Sequence, residues 1–212
     1  MSLYKTITVN KHTKVLIWKI EESFEALNKV VTLTNHCQER LHKMRSEIHQ
    51  RGFLSVRHLL AELGYTDFDL YYDSTGKPHL KDGKHISITH SFNFSAIIVS
   101  DSIPVGIDIE MQRDKILRIA HKFTPLQEYN TIANHEALVR KVTIVWGGKE
   151  SIYKVFAKKG LSFLKHIDID DFSIEASKTK GTVYYGKEIA TYSLDFLEFE
   201  GFTCVYALEE NR

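Results

Sequence analysis

The sequence is poor in the residues that punctuate or cross-link a chain. Only two cysteines occur, Cys37 and Cys204, and no spacing points to a zinc site or a disulfide framework. There are three prolines and no Gly/Ser-rich or low-complexity stretch, so two domains, if present, are expected to be tightly joined. No apolar run approaches the ~20 residues that a membrane span needs. Met1-Ser2-Leu3-Tyr4-Lys5 lacks the apolar run of a signal peptide. A soluble cytoplasmic protein without a membrane partner is therefore expected. Charge of one sign is missing too: 28 Lys and Arg against 27 Asp and Glu leave a net +1. That excludes a global field for nucleic acid, so an anionic ligand must be held by a local cluster.

What is present is 212 residues, 43% of them hydrophobic, enough for one large domain or two of about 100 residues. No sequence repeat is clear, but both halves run strands, a long helical region, then strands. Residues 4–9 and 15–20 alternate like paired strands. Residues 23–63 read as helical, with Asn35 as a cap and Gly52 as an interruption. Residues 68–72 form a strand that ends at the turn Asp73-Ser74-Thr75-Gly76-Lys77-Pro78, and strands follow at 85–89, 94–100 and 105–110. Thr124-Pro125-Leu126-Gln127-Glu128 reads as a capped helix start. A long helix is expected over 135–158, stopped by Gly160. Residues 167–208 read as an antiparallel meander. The layout is α+β.

Two acidic patterns carry chemistry. In Gly106-Ile107-Asp108-Ile109-Glu110 a strand period of two puts both isoleucines on one face and both carboxylates on the other. Paired carboxylates repel unless a cation or base lies between them, and Mg²⁺ is usually held by such hard oxygen ligands with water and phosphate. Gly106 allows a close approach of backbone or ligand. A bare pair of this kind also occurs as two solvated surface acids. In Trp146-Gly147-Gly148-Lys149-Glu150-Ser151-Ile152-Tyr153-Lys154, Trp146, Glu150 and Lys154 are stacked on one helix face. Glu150 and Lys154 alone also read as an ordinary surface ion pair, but two mid-helix glycines, each costing ~1 kcal/mol relative to alanine, call for a close neighbour at that turn. A third stretch, Ile86-Ser87-Ile88-Thr89-His90-Ser91, delivers a histidine at a strand end.

In order and together, Gly76-Lys77-Pro78, Ser87-Ile88-Thr89-His90-Ser91, Gly106 to Glu110, Trp146 to Lys154 and Gly160-Leu161-Ser162 resemble the phosphopantetheinyl transferase superfamily, in its larger, surfactin-synthetase-activating form. The resemblance implies two tightly joined, pseudo-twofold-related subdomains, each a long helix on a small antiparallel sheet. Residues 1–104 would contact the phosphates and adenine of coenzyme A, and 105–212 would carry the metal and catalytic groups. It implies a monomer that moves the phosphopantetheine arm from coenzyme A onto a serine of an apo acyl or peptidyl carrier protein. Asp108, Glu110 and Glu150 would ligate Mg²⁺, with Glu128 a further acidic position near it. His90 and Lys154 would contact the pyrophosphate, Gly76, Lys77 and Pro78 the adenine end. Lys149 would help with phosphate charge. Glu150, directly or through a water, would take the serine proton, and Lys154 would neutralise the departing 3',5'-ADP.

Thr89 stands where the family has serine and keeps a hydroxyl for a phosphate. The basic stretch 36–58 would supply 3'-phosphate contacts, with Arg45 and Arg57 preferred and Lys43 next. A solvated helix face, or a rim that steers an acidic partner, fits those residues as well. Two rival functions share these residues: a magnesium-dependent nucleotide or coenzyme A hydrolase, and a non-catalytic coenzyme A-binding protein of the same fold.

Overall fold

The computed structural model describes residues 3–125, 129, 132 and 134–210. The chain divides into two compact units, Met1–Ile103 and Pro104–Arg212. Both mix helix with antiparallel sheet, an α+β architecture. Among the described residues no helix is long and apolar enough to cross a membrane.

The first unit begins with the hairpin β1 (Leu3–Asn10) and β2 (Thr13–Lys19). Helices α1 (Phe24–Asn28), α2 (Asn35–Lys43) and α3 (Glu47–Ala61) follow. After them come the short pair β3 (Leu70–Tyr72) and β4 (Pro78–Leu80), then β5 (His85–Ser91) and β6 (Phe94–Ser100). The main sheet is ordered β1-β2-β6-β5. Helix α3 lies on β2, β6 and β5, and it is buried on most of its circumference, so Leu54, Leu59 and Leu60 all join the core cluster that holds Leu16, Trp18 and Ile97.

The helical region expected over 23–63 holds three helices, and the expected cap and break are corrected. Thr34, not Asn35, caps α2, its hydroxyl accepting from the Cys37 amide at 3.3 Å. Gly52 lies inside α3. A β-carbon there would come 2.8 Å from the ring of His90, so this glycine serves packing and does not interrupt the helix.

The second unit holds β7 (Val105–Met111), the short α4 (Lys115–Ile119), the long α5 (His135–Phe156) and α6 (Phe163–His166). The meander β8 (Ile167–Ile169), β9 (Lys178–Tyr185), β10 (Glu188–Phe199) and β11 (Phe202–Glu209) closes it. The sheet order is β7-β11-β10-β9-β8. Asn134 caps α5 through the Ala137 amide at 3.0 Å. The helix stops before Gly160: Ala157 turns left-handed at φ 49° and closes the last turn onto the Tyr153 carbonyl. The capped helix start read from Thr124 lies partly outside the described residues, at Leu126, Gln127 and Glu128.

Helix α5 sits on β7 and β11 with almost nothing between the backbones. A β-carbon on Gly106 would overlap the Ser151 carbonyl, and one on Gly147 would come 2.8 Å from Val205 Cγ2. The neighbour that these glycines call for is thus the sheet and helix themselves.

Candidate active site

The close contact between β7 and α5 brings the two acidic patterns together. Ile107 and Ile109 are buried at 0% and 1% exposure, which turns Asp108 and Glu110 to the opposite face of the strand. From α5, Lys154 donates to the Asp108 carboxylate at 2.8 Å and to the Ile107 carbonyl at 2.7 Å. One turn back lies Glu150, and another turn back Trp146, whose indole N–H donates to Glu110 at 3.2 Å. The Trp146 ring is held between Phe123 and Phe163, at 4.8 and 5.5 Å. Sequence reading placed Trp146 on this face but missed its hold on Glu110; the only signal was its spacing of four from Glu150.

The electrostatics follow from burial and crowding. Glu150 is pushed up to about 7, first by burial and then by the charge of Asp108, with Glu110 adding and Lys154 opposing. Burial, then Asp108, also raises Glu110, while the Trp146 hydrogen bond, Lys154 and Arg113 pull it down. Burial pushes the Cys204 thiol well up, with the Asp108 charge adding, so it is no nucleophile.

Three carboxylates and one ammonium leave this face with surplus negative charge. The group that such a donor set fits is a small divalent cation taking oxygen ligands. Among the described residues, no three His, Cys, Asp or Glu side chains are already closed into a metal-holding group. Glu128 lies outside the described residues.

Lys149 is a correction. It is 3% exposed, and its ammonium donates to the carbonyls of Phe123, Phe163 and Ile167 at 2.7, 2.9 and 2.5 Å. One residue before Glu150 on a helix, it points about 100° away from it. It ties backbone segments together and offers nothing to a phosphate.

In the first unit, His90 lies one residue before the end of β5, exposed, and its ring meets that of His49 edge-on at 6.0 Å. The two histidines line a cleft of about 260 Å³ with Ser46, Ile48, Ser91 and Phe92. Ser46 precedes α3, its carbonyl accepting from the Gln50 amide at 3.0 Å while its side chain makes no cap bond. Thr89, one residue before His90 on the strand, is buried and faces the other side of the sheet.

Arg57 is the second correction. It is buried, paired with Asp67 at 2.9 Å, bonded to the Phe53 carbonyl at 3.1 Å and stacked over the Phe53 ring. Asp67 also accepts from Thr34. Stripping Arg57 of these partners to reach a phosphate would strand a buried charge. Arg45 is exposed and directly precedes Ser46; Lys43 is exposed, with Glu39 at the outer limit of pairing, 4.0 Å. Gly76 and Lys77 belong to the turn before β4, which begins at Pro78, with Gly76 at φ 86°. Asp73 folds that turn by accepting from Thr75 and the Lys77 amide.

Comparison with known proteins bears on the same elements. The family model of the 4'-phosphopantetheinyl transferase superfamily matches residues 104–207, nearly the whole second unit with β7 and α5. The 4'-phosphopantetheinyl transferases Sfp and ffp of Bacillus subtilis are each 30% identical over 145 residues, 65% of this chain and 62% of each relative. That named gsp, of Aneurinibacillus migulanus, is 29% identical over 134 residues, 61% of this chain and 53% of its own. The matched stretch thus spans less than two thirds of those relatives. An acidic strand pinned against an acidic helix in the very unit that the family model covers leads to one assignment: the chain belongs to the 4'-phosphopantetheinyl transferase superfamily.

Proposed function

We propose that the chain transfers the 4'-phosphopantetheine arm of coenzyme A to a serine of an apo acyl or peptidyl carrier protein, releasing 3',5'-ADP, as a cytoplasmic monomer that depends on Mg²⁺. The observation that carries this reading is the mutual electrostatic coupling of Asp108 and Glu110 on β7 with Glu150 and Lys154 on α5. Asp108, Glu110 and Glu150 would hold the ion; the further acid that the resemblance implies, Glu128, lies outside the described residues. The ion's contribution is Lewis-acid stabilisation of the charge on the transferring phosphoryl group.

The protein's own groups handle the proton. Without the ion, burial and the charge of Asp108 push Glu150 up to about 7; a bound cation would draw that value down, and Glu150 acts as the base directly or through a water. It takes the proton of the serine hydroxyl as the serine oxygen bonds to phosphorus. The bond from phosphorus to 3',5'-ADP breaks, and Lys154 meets the charge that develops there. Residues 105–212 thus carry metal and proton handling, and residues 1–104 the coenzyme contacts. His90 meets the pyrophosphate with Thr89 beside it in sequence, Arg45 and Lys43 the 3'-phosphate, and Gly76, Lys77 and Pro78 the adenine end. The exposed His90 in a cleft with hydroxyls of Ser46 and Ser91 supports a phosphate there.

The test is to incubate the protein with coenzyme A, Mg²⁺ and an apo carrier, then weigh the carrier. Transfer adds the phosphopantetheine mass to it. Release of 3',5'-ADP with no gain would mean hydrolysis, and neither outcome would mean a binding protein. Asp108→Ala and Glu150→Ala are expected to lower transfer at least about a hundredfold with the fold intact; near-parental turnover in either removes that residue from the site.

A further inference from the structure

The cleft of the first unit is built from the start of α3 and from the turn between β5 and β6. Its polar wall, His49, His90, Ser46 and Ser91, suits phosphate oxygens. Its other wall is apolar: Ile48, 49% exposed, comes from the helix, and Phe92, 40% exposed, from the turn. A site for a bare anion has no use for exposed apolar side chains. A phosphate joined to an apolar body does.

Phe92 is held there at a cost. Ser91 pairs with Phe94 across the hairpin, so Phe92 and Asn93 are its two-residue loop. Phe92 has φ 52°, and Asn93 is not among the residues of positive φ. That is the pattern of a II' hairpin, whose first loop residue is ordinarily glycine. A bulky side chain in the left-handed region is an outlier, and strained residues gather where a ligand is met.

We infer that Phe92 is a coenzyme-contacting residue, its ring forming the apolar wall of the phosphate cleft and packing on the part of coenzyme A next to its phosphates. The inference rests on the proposed function. It accounts for the strain, because the turn would be easier with glycine.

The test uses the full chain and reads binding apart from activity. Affinities for coenzyme A and for 3',5'-ADP are measured by calorimetry for the parent, Phe92→Gly, Phe92→Asn and Phe92→Tyr, beside thermal midpoints and carrier loading. Glycine and asparagine both accept the left-handed turn, so a loss of the ring is separated from a loss of the fold. Both variants are expected to bind coenzyme A about tenfold more weakly. Their KM rises with kcat nearly unchanged, their midpoints equal or exceed the parent's, and Phe92→Tyr binds like the parent. A loss shared by 3',5'-ADP puts the ring against the nucleotide half; a loss confined to coenzyme A puts it against the pantetheine arm. Parental affinity in both variants overturns the inference while carrier loading by the parent leaves the function standing. So does a joint fall of midpoint and affinity, which makes Phe92 a structural prop. A parent that neither binds coenzyme A nor loads a carrier overturns both.

Discussion

A carboxyl pushed up to about 7, as Glu150 is, ties the site to pH in a calculable direction. Its unfolded value is near 4.5, so the folded state binds the proton more tightly than the unfolded one. Without a divalent ion this group favours folding fully below about 4.5, and its contribution is lost as pH rises to about 7, a change on the order of 2–3 kcal/mol. Denaturation between pH 5 and 8 should therefore show a steeper fall in stability for the parent than for Glu150→Gln, and parallel curves would count against the shift. The ion competes with that proton, so Mg²⁺ should raise the midpoint more at pH 8 than at pH 6. Which residues share this face was legible, since period two fixes Asp108 with Glu110 and a spacing of four fixes Glu150 with Lys154. Arg57 and Lys149 were misread because sequence gives a charge but not its direction. Their partners, Asp67 for one and three carbonyls for the other, appear only once the chain has folded back.

Elements show where pattern suffices and where packing decides. Strand β6 falls on the expected 94–100, because a continuous apolar run bounded by polar turns has few alternatives. Gly52 shows the opposite. Propensity reads a break, yet the helix continues, and the glycine is there because the ring of His90 on β5 leaves no room for a β-carbon. Phe92 escaped notice because an aromatic beside a strand reads as core. The glycines of the second unit give a graded test. Gly106→Ala must displace backbone and should cost about 3 kcal/mol or more. At Gly148 a β-carbon would meet only side-chain tips, Leu194 at 3.2 Å and Ile169 at 3.6 Å, and alanine's better helix propensity offsets that, so Gly148→Ala should stay within about 1 kcal/mol of the parent. Urea midpoints at unchanged slope read both; equal losses would mean that the contact at Gly106 is not backbone to backbone.

Among the described residues each unit packs its own main sheet against its own long helix. In the first, β2 and β6 are central and β1 and β5 are edges; in the second, β11 and β10 are interior while β7 and β8 are edges. Amide exchange should be slowest in the interior strands of both units and faster in β1 and β8. Edge amides as protected as those of β6 or β11 would contradict the strand orders. At this scale the balanced charge read from composition keeps its meaning: what attracts an anion must be local.

The contact at Gly106 has one more consequence. Where strand and helix meet there, a hydrogen atom fits and a methyl does not, so the gap between the acids of β7 and the acid of α5 is set by main chain. Side-chain rotation moves each carboxylate but not its anchor, and lengthening an acid by a methylene likewise extends its reach from a fixed point. Discrimination by ionic radius at such a place would belong to the scaffold, as the aperture of a gauge belongs to its frame.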